Sequence, residues 1–150
     1  MIQKLAFQKG EIYYQIQGSG PVLVLLHGFL GAKEIWETTQ AALSKHFRII
    51  TIDLPGHGLS QHRSLDAYYH FLDWIYDLAT LIKIQGWQQV DIIGHSMGGM
   101  IGSVLAAVMP QMVRKLVLID SMGLVTGEAG KTTEQIRSAI NHRWQSPHKQ

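Results

Sequence analysis

Short apolar runs alternate along the chain with stretches in which apolar residues recur at helical spacing. Runs at Val22–Leu26, Phe47–Ile52, Val90–Ile93 and Lys115–Ile119 predict strands. The first is of the kind that is buried on both faces, and the last is also predicted to be buried. Ahead of them, Leu5–Phe7 and Ile12–Ile16 predict an opening hairpin. Strands separated by helices indicate a mostly parallel sheet with right-handed crossovers and helices on both faces, and therefore the α/β class.

Helices are predicted between these strands, over residues 34–45, about 66–85, and 97–109. The first should turn Ile35, Trp36, Ala42 and Leu43 toward the sheet, and the second Phe71, Leu72, Ile75, Leu78 and Ile82. A last helix should start from a capping box at Thr132–Gln135 and group Ile136, Ile140 and Trp144, leaving Arg137 and Arg143 to solvent.

Composition and charge narrow the class of protein. The 150 residues are 46% hydrophobic and 16% charged, which suits one compact core. The net charge is +2 with no block of like charge, so nucleic-acid binding is not expected. Cysteine is absent and the histidines are scattered, so we predict neither a metal site nor a cofactor. With no bilayer-length apolar run and no signal-peptide pattern, we expect a cytoplasmic protein.

The sequence Gly94-His95-Ser96-Met97-Gly98 places a serine between a predicted strand and a predicted helix. In that setting a sharp turn lifts a serine hydroxyl clear of the sheet as a nucleophile. The turn leaves no room for side chains at Gly94 and Gly98, and the helix N-terminus favours developing negative charge. The alternative is a glycine-rich turn that tightens packing. For Gly102, in the helix that follows, packing is the preferred interpretation.

Two more motifs follow predicted strands. After Val22–Leu26, the backbone amide of Phe29 can join that of Met97 as a second donor to a tetrahedral oxyanion, and His27 is expected to tie down the loop. After Phe47–Ile52, residues 53–60 predict a structural loop beside the pocket. Asp53 and Ser60 should bind neighbouring amides there, and His57 should face solvent rather than act as a base.

Taken in order, these motifs, together with Leu116-Val117-Leu118-Ile119-Asp120, resemble the α/β-hydrolase superfamily, and within it the serine esterase and acyl-hydrolase branch. The resemblance covers the first six strands, residues 1–121, and residues 122–150 resemble the beginning of a helical lid. It implies Ser96 as nucleophile, the amides of Phe29 and Met97 as oxyanion hole, a small ester or acyl substrate and no cofactor. Serine at this position, rather than aspartate, argues against the haloalkane dehalogenase and epoxide hydrolase branches.

The family's triad acid usually follows a seventh strand and its histidine an eighth, and neither matches a position of this chain. Asp120 is a candidate for the acid, and no residue is assigned as the base, since His142 and His148 follow no strand. We therefore expect the front part of a hydrolase, truncated or from a split gene, and nearly inactive alone. Lys115–Ile119 should then be an unpaired edge that self-associates or binds a complementing C-terminal fragment.

Three alternatives stay open from the sequence. A non-catalytic binding protein could keep the fold and the pocket. Gly127–Thr132, GEAGKT, hints at a phosphate-binding loop, although Val125 stands where that motif requires glycine. Lyases and cofactor-free oxygenases carry the same motifs as hydrolases, so the chemistry could differ on the same fold.

Overall fold

The computed structural model describes residues 2–7, 10–60, 71–121 and 133–145. The strands are β1 (Ile2–Phe7), β2 (Gly10–Gln17), β3 (Val22–Leu26), β4 (Arg48–Ile52), β5 (Val90–His95) and β6 (Val113–Ile119). The helices are a 3₁₀ helix (Lys33–Trp36), α1 (Glu37–Leu43), α2 (Phe71–Ile84), α3 (Met97–Val108) and α4 (Thr133–Gln145).

All six strands form one sheet in the order β1-β2-β4-β3-β5-β6. The hairpin strands β1 and β2 are antiparallel, and β2 joins β4 in the same sense. From β4 to β6 every pairing is parallel, which requires the helical crossovers that the alternating pattern predicts. The predicted α/β class is therefore confirmed.

Helices cover the two faces of the sheet unequally. On one face, α2 and α3 bury the larger core, to which β3 contributes Val24 and Leu26. On the other face, the 3₁₀ helix brings Trp36 against a smaller cluster with Leu23 and Leu25. Successive residues of β3 thus serve opposite cores, and this explains why its apolar run is continuous.

The helical face predicted for residues 34–45 is half right. Trp36 is buried and Leu43 packs against the same cluster, as predicted, whereas Ile35 is 51% exposed and Ala42 is exposed. Gln40, at helical spacing from Trp36 and Leu43, is buried instead.

Strand β6 is at the edge of the sheet, and the prediction that it is a buried strand is wrong. Its last three residues are apolar and are 50%, 49% and 43% exposed, at Val117, Leu118 and Ile119. Because β6 ends the strand order, only β5 flanks it within the described part of the chain. This edge is the one expected from the resemblance, with an apolar surface at its carboxyl end.

Helix α4 lies near the C-terminal end of α3, and Arg137 connects the two. Its guanidinium Nε donates to the backbone carbonyl of Val108, and the side chain is half-buried, so the prediction that Arg137 only faces solvent is wrong. That carbonyl belongs to the last turn of α3, where a cation is favourable. The placements predicted for Ile136, Ile140, Arg143 and Trp144 fall on side chains outside the described ones.

Several further predictions fall on residues that the structure does not describe. They are the start of the second helix before residue 71, the lid start at 122–132, the Gly127–Thr132 motif, and His148. Among the described helices, none has the length and apolar content needed to cross a bilayer.

Candidate active site

The ends of the parallel strands bring the predicted site residues to one edge of the sheet. Leu26, the last residue of β3, lies opposite Ile52 of β4 and Gly94 of β5. His95 lies opposite Ile119 of β6. The segments that follow these strands therefore meet at the carboxyl edge, where ligands bind in open α/β sheets.

Ser96 occupies the sharp turn between β5 and α3. Its φ of 50° and ψ of −115° are values that a residue with a side chain rarely adopts. The backbone is held on both sides, because its N–H donates to Ile119 O at 3.0 Å and its carbonyl accepts the N–H of Met100 at 3.2 Å. A conformation of this kind costs about 1–3 kcal/mol and persists only where its surroundings enforce it.

Gly94 and Gly98 allow this turn for two different reasons. A Cβ on Gly94 would lie 2.5 Å from Gly98 O, inside the turn itself. A Cβ on Gly98 would lie 2.7 Å from His27 O and even closer to Leu26 O, both at the end of β3. The first glycine thus lets the turn close, and the second lets α3 approach the neighbouring strand.

The loop after β3 packs against the Ser96 side chain. A Cβ on Gly28 would lie 3.0 Å from Ser96 Cβ and 3.0 Å from His95 Nδ1, so a side chain there would crowd both residues. The loop then turns back, with the N–H of Gly31 donating to Gly28 O at 3.0 Å and Leu30 at a φ of 59°. The peptide N–H of Phe29 belongs to this turn, next to the residue that touches Ser96.

His27 ties this loop to the one that follows β4, as the sequence predicts. The ring is fully buried, and its Nε2 accepts the N–H of Leu54 at 3.0 Å. Its proton is therefore on Nδ1, which donates to Gly28 O at 2.7 Å. Burial lowers the pKa of His27 below its ordinary value, and the nearby His57 adds to this, against the opposing effects of the Gly28 hydrogen bond, Asp53 and Glu34.

Asp53 is the centre of the loop after β4. Its buried carboxylate accepts the backbone N–H of Lys33 at 2.7 Å, the Nζ of Lys33 at 2.8 Å and the N–H of Leu59 at 3.0 Å. A Cβ on Gly58, which has a φ of 53°, would collide with this carboxylate. Ser60 completes the loop by donating its hydroxyl to Asp53 O and accepting the N–H of Tyr13 at 3.0 Å. The predicted amide-binding roles of Asp53 and Ser60 are confirmed.

Lys33 is the residue that sequence reasoning missed. Only 4% of its side chain is exposed, and Nζ binds Asp53 Oδ2 and, at 2.6 Å, Glu34 Oε1. Burial by itself lowers the pKa of Lys33, but the bonds and charges of Asp53 and Glu34 outweigh it, so the pKa is raised and the ammonium stays charged. A lysine after a glycine loop carries no sequence signal of burial.

His57 does not face solvent as predicted. It is half-buried among rings, with ring centroids 5.1 Å from His27, 5.9 Å from Phe29 and 6.4 Å from Trp74. Its Nδ1 lies 3.2 Å from Pro55 O. His57 therefore supports the loop that carries Phe29 from one side, and the expectation that it is not the base stays a prediction.

Two other predicted groups have exposed side chains. Asp120 follows β6 with a φ of 43° and an exposed side chain, and His142 is exposed on α4. Within the described residues, no hydrogen bond reaches the Ser96 hydroxyl and no three His, Asp or Glu side chains are grouped to hold a metal. The structure thus unites Ser96, the Phe29 loop and the elbow glycines, and leaves the triad acid and base unassigned.

Comparisons with known proteins identify the family to which this sheet and its loops are similar. The family model of the alpha/beta hydrolase fold matches residues 21–145. A "Serine hydrolase-like protein" of Danio rerio is 33% identical over 138 residues, which are 91% of this chain and 42% of that protein. The chain thus spans less than half of that relative's length.

Solved structures agree on the fold. A hypothetical protein of Pseudomonas aeruginosa PAO1 aligns with a TM-score of 0.79 and 28% identity, over 99% of this chain and 53% of its own. An epoxide hydrolase aligns with a TM-score of 0.79 and 26% identity, over 96% of this chain and 50% of its own. Such likenesses carry the fold and do not separate ester chemistry from epoxide chemistry. On the family match and the shared sheet, the chain belongs to the alpha/beta hydrolase fold family.

Proposed function

We propose that this chain carries the nucleophile and the oxyanion hole of a serine hydrolase that acts on ester or acyl bonds. The observation that carries the proposal is the strained backbone of Ser96, which stands between β5 and α3 with a φ of 50°. Backbone strain of this kind costs free energy and is concentrated at functional sites. At a strand–turn–helix junction, the function that such strain serves is to expose a nucleophile.

In the proposed reaction, Ser96 Oγ attacks the carbonyl carbon of the substrate. The oxygen of that carbonyl becomes negatively charged, and the backbone N–H groups of Phe29 and Met97 donate to it. Met97 is the first residue of α3, so the partial positive charge of the helix N-terminus adds to the stabilisation. The tetrahedral species collapses to an acyl-enzyme as the carbonyl carbon's bond to the leaving oxygen or nitrogen breaks, and the departing alcohol or amine takes the proton that Ser96 Oγ gave to the base. Water then hydrolyses the acyl-enzyme and frees Ser96 Oγ.

The proton of Ser96 Oγ has to pass to a general base, and the described residues supply no partner at that hydroxyl. Without a base, a hydroxyl is a weak nucleophile and turnover falls by about 10⁶. The rest of the site still accelerates the reaction by about 10³ over the uncatalysed reaction in water. We therefore expect the 150-residue chain to hydrolyse esters slowly at best. Asp120 stays a prediction for the acid.

A non-catalytic binding protein is the second candidate, and it is supported by the same observation that no described residue binds the Ser96 hydroxyl. In that case the pocket would hold an acyl or ester compound without breaking it. The two candidates differ in one respect: only the hydrolase needs Ser96 to react.

Fluorophosphonate labelling, read by intact mass and peptide mapping, tests the proposal. We expect slow but selective labelling of Ser96, complete loss of label in Ser96→Ala, and unchanged labelling in Ser103→Ala, a serine on the same helix whose hydroxyl binds Gly99 O. A folded chain that takes no label at Ser96 would contradict the hydrolase and favour the binding protein. Ester turnover at the rates of a complete enzyme would contradict the expectation that this chain supplies no base to Ser96.

The proposal extends to a partner at the edge of the sheet. Val117, Leu118 and Ile119 expose apolar side chains on a strand that pairs only with β5 among the described strands. We infer that a second copy of the chain pairs there, because two identical edges can meet antiparallel across a two-fold axis. The cytoplasmic location and the absence of a nucleic-acid partner stay predictions from the sequence.

A further inference from the structure

The loop that carries the Phe29 amide is fastened at both of its ends to the loop after β4. At its beginning, His27 Nε2 accepts the N–H of Leu54 at 3.0 Å. At its end, Lys33 binds Asp53 through its backbone N–H at 2.7 Å and its Nζ at 2.8 Å. The five residues between these fastenings contain the turn closed by Gly31 N–H and Gly28 O.

The two fastenings differ in kind. His27 is neutral and contributes single hydrogen bonds. The Lys33 ammonium and the Asp53 carboxylate form a buried ion pair, with side chains 4% and 0% exposed. Apolar side chains of similar size could fill the same space. A buried pair is a weak source of stability compared with apolar packing, but it fixes geometry. Lys33 also binds the exposed Glu34, whereas the fully buried Asp53 carboxylate would be left uncompensated without the Lys33 ammonium.

We propose that Lys33, through its ion pair with Asp53, is a positioning residue that holds the Phe29 amide where the oxyanion forms. This inference rests on the proposed function. Asp53 suits the role because the same carboxylate binds Leu59 N–H, so the loop after β4 and the loop after β3 share one anchor. An oxyanion-hole donor is effective only when it is fixed before the reaction, since a mobile amide has to be ordered at the moment of catalysis.

The variant Lys33→Met alone would leave the Asp53 carboxylate buried without its counter-ion and would destabilise the chain. The test therefore uses the double variant Lys33→Met/Asp53→Asn, in which both charges are removed and the two side chains keep their approximate size. Lys33→Arg keeps the charge, and Lys45→Met, at an exposed lysine, is the matched control.

Two measurements are compared. Amide hydrogen exchange of Gly31 reports the turn, and exchange of Leu25 in β3 reports opening of the sheet. In the double variant we expect Gly31 to exchange at least about tenfold faster while Leu25 stays within about threefold of the wild type. Labelling of Ser96 should slow by about 10- to 100-fold, less than the loss of a whole oxyanion donor. Lys33→Arg should keep the exchange of Gly31 and the labelling of Ser96 close to their wild-type rates, and Lys45→Met should leave both rates unchanged.

The outcomes separate the inference from the proposed function. Unchanged Gly31 exchange, or an equal rise at Leu25, overturns the positioning role, because Lys33 would then be inert or would support the whole fold. Faster Gly31 exchange with unchanged labelling overturns the connection to the Phe29 amide. If the wild-type chain takes no label, the proposed function fails, and the exchange of Gly31 still decides whether Lys33 holds the turn.

Discussion

Two glycines of α3, four residues apart, face different kinds of neighbour. Gly98 faces backbone, since its absent Cβ would lie 2.7 Å from His27 O and closer still to Leu26 O. Gly102 faces side-chain methyl groups, since a Cβ there would lie 3.0 Å from Leu116 Cδ1 and 3.1 Å from Ile92 Cγ2. Side-chain ends can shift by tenths of an ångström, whereas strand carbonyls cannot shift without breaking the sheet.

Gly98→Ala should therefore destabilise the chain by about 1–3 kcal/mol and slow the labelling of Ser96, because α3 would be pushed away from β3. Gly102→Ala, the matched control on the same helix, should change the free energy of unfolding by no more than about 1 kcal/mol, because the helical gain from alanine offsets the contact. Urea denaturation measures both. Equal destabilisation by the two substitutions would contradict this account.

Basic and apolar residues are separated along strand β6. Its basic residues, Arg114 and Lys115, lie at the amino end, and Arg114 binds Asp91 of β5 at 2.9 Å. Its apolar residues lie at the carboxyl end and are about half exposed. An apolar edge of this kind favours pairing with another chain, while the basic end opposes continuation of the contact.

Val117→Lys should weaken the inferred self-association, because a charge would be placed in the middle of the apolar segment. Ile84→Lys, at an apolar residue of α2 that is 56% exposed, is the matched control and should have no effect. Sedimentation velocity over a concentration series, together with binding of a hydrophobic dye, measures both. A wild-type chain that stays monomeric and binds no dye would contradict the inferred pairing at β6. A monomer that binds dye would indicate that a complementing segment, rather than a second copy, pairs with β6.

At the scale of the whole molecule, the buried His27 couples folding to pH. Its folded-state pKa is lower than the ordinary 6.5, because burial disfavours the charged ring. As pH falls through 6.5, the unfolded chain takes up the proton first, so the unfolded state gains relative to the folded one. The contribution of His27 to stability is thus complete above pH 6.5 and declines as the pH falls toward the folded-state pKa.

The free energy of unfolding should therefore fall below pH 6.5 with a component of at most about 1.4 kcal/mol per pH unit from this group. His27→Gln should remove that component, since glutamine can accept the Leu54 N–H and does not titrate. His46→Gln, at an exposed histidine, should keep it. The same slope in wild type and His27→Gln would show that another group is responsible.

Local patterns were enough for much of this protein. The alternation of apolar runs and helical periods predicts a mostly parallel sheet, because each apolar strand has to be covered on both faces. The spacing of glycines around Ser96 predicts the sharp turn, because few other residues fit it. Asp53 and Ser60 are predictable as amide-binding residues, since short polar side chains in a glycine-rich loop bind their own backbone.

Only the tertiary structure decided which neighbours those residues meet. The burial of Gln40, in place of Ile35 and Ala42, depends on how the helix after β3 lies against the sheet, and the exposure of β6 depends on its being last in the strand order. The burial of Lys33 follows from an ion pair with Asp53, twenty residues away in the chain. The sequence by itself determined the class of fold and the turn at Ser96, because these depend on contacts within a few residues. The loop that faces Ser96, its two fastenings and the free edge depend on contacts between distant segments, and only folding brings those together.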